Sequence, residues 1–286
     1  MPQRMSIAES REVRMAWLFA APALLAIALV AAFPVLWTFW ESLHRHDLRL
    51  PWLGRPFVGL SNYREAFTDA RAWSAIAHTL FFTATTVSAE LALGLALALG
   101  LNRPLRARGP LRAAALLPWA MPTVVAALIW RFMFESPGGS SWFVDPLAAW
   151  VPIVLADVWK MMPFVALLLL AGLQNIDHSM YEAAALDGAG PVRQFAFITL
   201  PLLRPAIAAA VVFRSLDAFR VFDVIYVMTG GGPGTATEPI SLYAFTALFR
   251  DLRFGFGSAL AMMVFFVSFF LALAWIRLLA TPESVT

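Results

Sequence analysis

Cysteine is missing from this 286-residue chain, which excludes a disulfide framework, a thiolate metal site and a thiol nucleophile. Lysine is almost missing as well: Lys160, between Trp159 and Met161, is the only one among 21 basic residues. A Walker A loop needs a lysine after glycine and before serine or threonine to hold nucleotide phosphates, so this chain cannot carry that site. Histidine is scarce, and of His44, His46, His78 and His178 only the first two could share a ligand. Beside Arg45 and Asp47 that pair reads as a solvated polar turn, and no metal site is assigned. Neither H-E-x-x-H nor G-x-S-x-G occurs, so a membrane hydrolase lacks support and no catalytic residue is assigned. Charge is the last deficit: Asp, Glu, Lys and Arg make up 14%, against about 25% in soluble domains. No dense basic cluster outside the apolar segments offers itself to nucleic acid.

What is present is apolar. Hydrophobic residues make up 60% of the chain and the mean hydropathy is +0.73, the composition of a protein dissolved in lipid. A helix needs about 20 apolar residues to cross the hydrocarbon layer. Six segments meet that need, at about 16–40, 79–101, 113–134, 152–173, 202–228 and 257–276. They define an all-α membrane protein between a short N-terminal segment, 1–15, and a tail, 281–286. The first run is longer than a signal-peptide core and lacks a small-residue cleavage site, so it reads as a retained anchor. Arg103, Arg106, Arg108 and Arg112 crowd the second connection while the third has no basic residue, which places both termini and the second and fourth connections in the cytoplasm. Five arginines in the first connection weigh against that assignment. Pro22, Pro34, Pro118, Pro122 and Pro163 each remove a backbone donor and are expected to kink their helices. Gly94, Ala98 and Gly100 are small enough for close helix approach.

The fourth connection, 174–201, is the most specific stretch. Glu182 to Leu186 is a run of good helix formers, Gly188 to Gly190 ends it, and Pro191 suits the first turn of another short helix. Small side chains flanked by Glu182 and Asp187 suit docking in another protein's groove. This segment resembles the cytoplasmic coupling motif of the permease subunits of ATP-binding-cassette importers, with Glu182, Ala183, Ala184, Asp187, Gly188, Ala189, Phe195, Leu200 and Pro201 on matching positions and Val192 where an aromatic residue is common. The likeness extends over nearly the whole chain. Pro22 and Pro34, Val58 to Tyr63, and Thr229 to Pro233 resemble the carbohydrate permeases of the maltose and glycerol-phosphate type, in a compact six-span form. It implies the type I importer permease fold, with a coupling helix formed by Glu182, Ala183, Ala184, Asp187 and Gly188. It also implies a second homologous permease, cytoplasmic ATP-binding subunits that use ATP and Mg, an extracytoplasmic solute-binding protein, and residence in a prokaryotic inner membrane. The chain itself then needs no cofactor and is not an enzyme.

The fifth span carries Arg214, Asp217, Arg220 and Asp223, interleaved with Phe219 and Phe222 and followed by Tyr226. Each charge at mid-membrane costs about 2.5–3.5 kcal/mol on insertion scales, so these groups must pair or face a polar cavity. In a continuous helix, steps of three residues make each a neighbour of the next opposite charge. Charges beside aromatic rings suit the hydroxyls and apolar face of a sugar. Each charge has two open roles, a helix-to-helix ion pair or a place on the solute path. Asp157 and Lys160 form another i, i+3 pair, expected to bond together or to share that cavity, while Glu90, more simply an interhelical hydrogen-bonding group, and Arg131, more simply a snorkelling residue at the outer rim, are weaker candidates for the path. The function expected is passage of a sugar or polyol through an ATP-driven importer. The alternatives are another small solute, or a stand-alone proton-coupled carrier using Glu90, Asp217 and Asp223.

Overall fold

The computed structural model describes residues 7–103, 108–135 and 141–279. Thirteen α-helices are present among them: α1 Ile7–Ile27, α2 Phe33–Ser42, α3 Ser61–Thr68, α4 Ala70–Asn102, α5 Arg108–Ala120, α6 Thr123–Phe134, α7 Trp150–Gln174, α8 His178–Leu186, α9 Pro191–Gln194, α10 Leu200–Phe219, α11 Asp223–Met228, α12 Ile240–Phe245 and α13 Phe254–Leu279. The described residues contain no strand. Arg106, part of the third connection (136–140), the first six residues and the C-terminal tail 281–286 lie outside them.

Five helical stretches are long and apolar enough to cross a membrane: Met15–Ser42, Ala70–Asn102, Trp150–Gln174, Pro191–Phe219 and Phe254–Arg277. Large apolar side chains stand exposed along them, among them Phe19, Val30, Leu80, Leu93, Phe266 and Phe270. A surface of that kind is stable only against lipid or protein.

Two expected spans are not continuous helices. The third breaks into α5 and α6, which meet at 88°. Pro118 lies inside α5 and Pro122 stands just before α6 in an extended conformation, so the i to i−4 ladder cannot pass through. The fifth ends at Phe219. Arg220 and Val221 donate backbone hydrogen bonds to Asp217 and Ala218, three residues back, and the helix restarts at Asp223. The Val221 carbonyl freed by the break accepts from the Ser241 hydroxyl on α12, which satisfies a backbone group that lipid could not.

The chain divides into two compact units. The first comprises residues 1–68 and 246–262. Its loop after α2 is pinned by Asn62, whose side-chain amide donates to the carbonyls of Ser42 at 2.8 Å and His44 at 3.0 Å. Backbone bridges join His44 to Phe57 and Asp47 to Arg253. Gly255 passes so close that a Cβ there would lie 2.1 Å from the His44 carbonyl oxygen. His46 is not in a solvated turn: its ring is nearly buried, bonded through Nδ1 to Glu41 and stacked on Phe254.

The second unit comprises residues 69–245 and 263–286. There α7 packs along α4, and α10 lies against both. Missing side chains allow this approach. A Cβ on Gly94 of α4 would lie 2.8 Å from Val165 of α7, and one on Gly172 of α7 would lie 2.6 Å from Ala206 of α10. Ala98 is fully buried in the same seam, whereas Gly100 faces open space and takes no part in it. Thr79, Thr83 and Thr86 return their hydroxyls to carbonyls four residues back, at 2.8–2.9 Å, so α4 carries them into the interior without orphan donors.

Candidate functional site

The close approach of α4, α7 and α10 brings one charge from each of the first two and two from the third to a common point. Arg214 of α10, 1% exposed, is the hub. Its Nε donates to Glu90 of α4 at 2.5 Å and its Nη2 to the other oxygen of the same carboxylate at 2.7 Å, a bidentate pair. Nη2 also reaches Asp157 of α7 at 2.9 Å, and Nη1 reaches Asp217 at 2.5 Å. A lone arginine in a hydrocarbon interior is costly, whereas one ringed by three carboxylates is a stable knot. Its outer member is Asp217, whose side chain is 56% exposed.

A polar cavity of about 120 Å³ opens at the break between α10 and α11. Asp157, Lys160, Asp217, Arg220, Phe222 and Asp223 line it, with Phe82 and Thr123. Phe222 stacks on Tyr226 with ring centroids 5.2 Å apart and meets Phe245 edge-on at 5.1 Å, so an aromatic cluster flanks the charges.

The sequence-derived residues therefore divide. Asp157, Lys160, Asp217, Arg220, Phe222 and Asp223 share the cavity wall, Arg214 stands behind it, and Tyr226 touches only its aromatic flank. Phe219 is buried in protein and does not line the cavity, because α10 ends at that residue and turns its ring into the core. Asp157 and Lys160, expected to bond together or to share the cavity, share it without bonding: Asp157 is drawn to Arg214, and Lys160 donates to the Trp119 carbonyl at 3.4 Å. The pair of Arg214 with Asp217 does form, but the ladder stops there, since beyond it the backbone is no longer helical and Arg220 Nε donates to the Leu216 carbonyl. Glu90, rated weakly from sequence, is the principal partner of Arg214. Its one clue was a lone charge in an otherwise apolar span. Arg131 bonds Glu135 and the Val227 carbonyl.

At the fourth connection, Asp177 caps α8 by accepting from the Ser179 backbone at 2.9 Å, and this hydrogen bonding holds its carboxyl below the ordinary aspartate range. Gly188, with φ +80°, ends the helix in a conformation that glycine adopts freely. The Tyr181 hydroxyl bonds Thr199 at 2.9 Å and Gln194 donates to the Ala189 carbonyl at 2.9 Å, tying α8 back onto the chain that follows. Glu182, Ala183, Asp187 and Gly188 are exposed and Ala184 is half-buried. Leu186 is 90% exposed and Val192 82%. The Thr229–Gly234 loop closes on itself, Thr237 donating to the Gly232 carbonyl and bonding the Thr229 hydroxyl, both at 2.8 Å. It is a turn and not a phosphate cradle.

A bundle of apolar helices that holds a knot of charges beside a polar cavity, and carries a bare helix on one connection, defines a multi-pass membrane protein of the solute-transport class. Residues 90–282 match the family described as "Binding-protein-dependent transport system inner membrane component", and the chain belongs to that family. It is 41% identical over 268 residues to the trehalose/maltose transport system permease protein MalF of Thermococcus litoralis, covering 89% of this chain and 90% of the relative. To the sulfoquinovosyl glycerol transport system permease protein SmoG of Agrobacterium fabrum it is 38% identical over 94% of this chain and 91% of the relative. To the trehalose transport system permease protein SugA of Mycobacterium tuberculosis it is 38% identical over 93% and 89%. The fold matches a chain of a bacterial ABC transporter involved in import of the acidic polysaccharide alginate, with a TM-score of 0.79 and 20% identity over 95% of this chain and 99% of that one. The chain is thus a multi-pass permease subunit of an ABC importer, a transport component and not an enzyme.

Proposed function

We propose that this permease passes a sugar or related polyol, and that the cavity at the break between α10 and α11 is one wall of the path. Its lining carries the reading: carboxylates, an ammonium and a guanidinium for hydroxyl groups, and an aromatic ring for the apolar face of a sugar. Relatives named for trehalose and maltose transport, aligned over about nine-tenths of the chain, support it. A cavity of about 120 Å³ is smaller than the roughly 300–1,000 Å³ of usual ligand pockets. That deficit fits a path completed by a second, homologous permease.

In this reading both termini and α8 face the cytoplasm. The exposed α8, with Glu182, Ala183, Ala184, Asp187 and Gly188, is the handle gripped by cytoplasmic subunits that bind and hydrolyse ATP with Mg. An extracytoplasmic binding protein delivers the solute, and closure of the ATPase pair rocks the spans between outward and inward access.

The test is reconstitution with those partners in proteoliposomes. Glu182→Lys should abolish sugar uptake while the subunit stays membrane-inserted, and normal uptake would contradict the role of α8. Asp217→Ala should reduce sugar-stimulated ATP hydrolysis at least tenfold, and an unchanged response would remove Asp217 from the path. A second reading, an anionic sugar derivative, is favoured by the likeness to SmoG. Uptake of a sugar sulfonate in place of a neutral disaccharide would select it. Solute movement by this polypeptide alone under a proton gradient would instead establish a self-contained carrier.

A further inference from the structure

Within the first unit a cavity of about 210 Å³ lies between the loop after α2, the start of α3 and the start of α13. We propose that it is a second solute site, too small for a whole disaccharide and shaped for one ring of a neutral polyhydroxyl compound, an assignment that rests on the sugar reading above. His46 is the anchor. Its side chain is nine-tenths buried, Nδ1 is bonded to Glu41, and no protein group partners Nε2 although the ring lines the cavity. Buried polar atoms in folded proteins almost always have a partner; Nε2 has almost no open surface as the ring stands, so a ligand hydroxyl meets it, as donor or acceptor, only once the ring turns its edge toward the cavity.

The surrounding groups decide the class of ligand. Asp47 and Glu65 line the cavity and oppose an anion; Arg45 and Arg253 line it and oppose a cation. The charges are largely spent on each other. Arg253 bonds Glu65 at 2.5 Å, and Asp47 holds Arg49 through two bonds at 2.9 and 2.7 Å, which keeps the Asp47 carboxyl below its ordinary range. What they still offer is single hydrogen bonds of both kinds, to which Ser61 adds a hydroxyl and Asn62 an amide oxygen, its NH2 being used on Ser42 and His44. Mixed donors and acceptors with little net charge suit the hydroxyls of a sugar better than any ion. Val58 and Phe256 supply the apolar contact.

The experiment uses the intact transporter assembly in lipid nanodiscs, without ATP or binding protein, and diazirine-bearing trehalose and maltose. Photolabelling with peptide mapping should place adducts within 57–65 or 253–256. Unmodified disaccharide should compete for them and glucuronate should not. Labelling there should fall at least fivefold in Arg45→Met and in His46→Phe. Arg45 is exposed and its backbone bond to the Pro56 carbonyl survives substitution, so loss in Arg45→Met does not reflect unfolding. His46→Phe keeps a ring against Phe254 while deleting Nε2. Adducts confined to α7 and α10, labelling unchanged in both variants, or competition by glucuronate equal to that by disaccharide would each overturn the site. If such a result came from an assembly whose ATP hydrolysis still responds to a delivered disaccharide, this site falls and the sugar reading stands; if no sugar elicits any response, both fall.

Discussion

Replacing Arg214 with leucine removes one cation from a knot that holds three carboxylates. Asp217 reaches solvent and can rehydrate, but Glu90 is fully buried and the Asp157 side chain is only 12% exposed. Both would lose every strong donor now within 3 Å. Removing one partner of a buried ion pair costs about 3–5 kcal/mol, because the group left behind keeps its desolvation penalty without its attraction. At about 2–4 °C per kcal/mol for chains of roughly this size, the apparent melting temperature should fall by about 6–20 °C. The decisive comparison is Glu90→Leu, Asp157→Asn and Arg214→Leu together, which leaves no buried charge in the knot itself. If the cost is electrostatic, the combined variant should recover at least half of the loss, since buried ion clusters exchanged whole for apolar groups are often neutral or stabilising. The measurement is intrinsic tryptophan fluorescence of the detergent-purified assembly during heating. A single variant melting within 1 °C of the parent, or a combined variant worse than the single, would refute the argument.

Further outcomes follow from the helix seams and caps. Gly94→Val should destabilise the packing of α4 on α7, because the space its first carbon needs is already held by Val165 at 2.8 Å; a wild-type melting curve would contradict this, and Ala98→Gly should be milder. Asp177→Ala should fray α8, read as faster hydrogen exchange across 178–186, while Asp177→Asn should retain most of the protection by keeping a cap acceptor. The pH dependence has a definite sign. The folded carboxyl of Asp177 is held below its ordinary value, so its contribution is complete at neutral pH and is lost as pH falls through the folded value, below the ordinary range. Protection that rises on acidification would show the cap to be misassigned.

How much of this was legible depended on distance along the chain. The apolar runs and the segment around Glu182 are local patterns, and both are readable in a single window. So is Arg214 with Asp217, because three residues of helix fix their separation. Glu90 lies 124 residues from Arg214 and no local rule couples them. The same remote guanidinium takes Asp157 away from Lys160, so an i, i+3 spacing that suggested a pair loses to a partner able to bind two groups at once. The end of α10 was equally hidden. No glycine or proline marks Arg220–Phe222, and the break is made tolerable by Ser241, which approaches only once α12 has folded beside it. The bend between α5 and α6, by contrast, has two prolines to announce it, although the sequence set neither its angle nor that it would divide the helix.

The bare rim of the fourth connection bears on how a cell handles this polypeptide. Leu186, Val192 and Phe197 are left largely uncovered by the chain itself, and greasy side chains held on a rigid turn are what chaperones and proteases recognise when neither lipid nor protein sheathes them. If cytoplasmic partners cover that rim, as proposed above, a copy made in excess of them is expected to be short-lived. The steady-state abundance of this subunit then follows the supply of whatever covers that rim more closely than its own rate of synthesis.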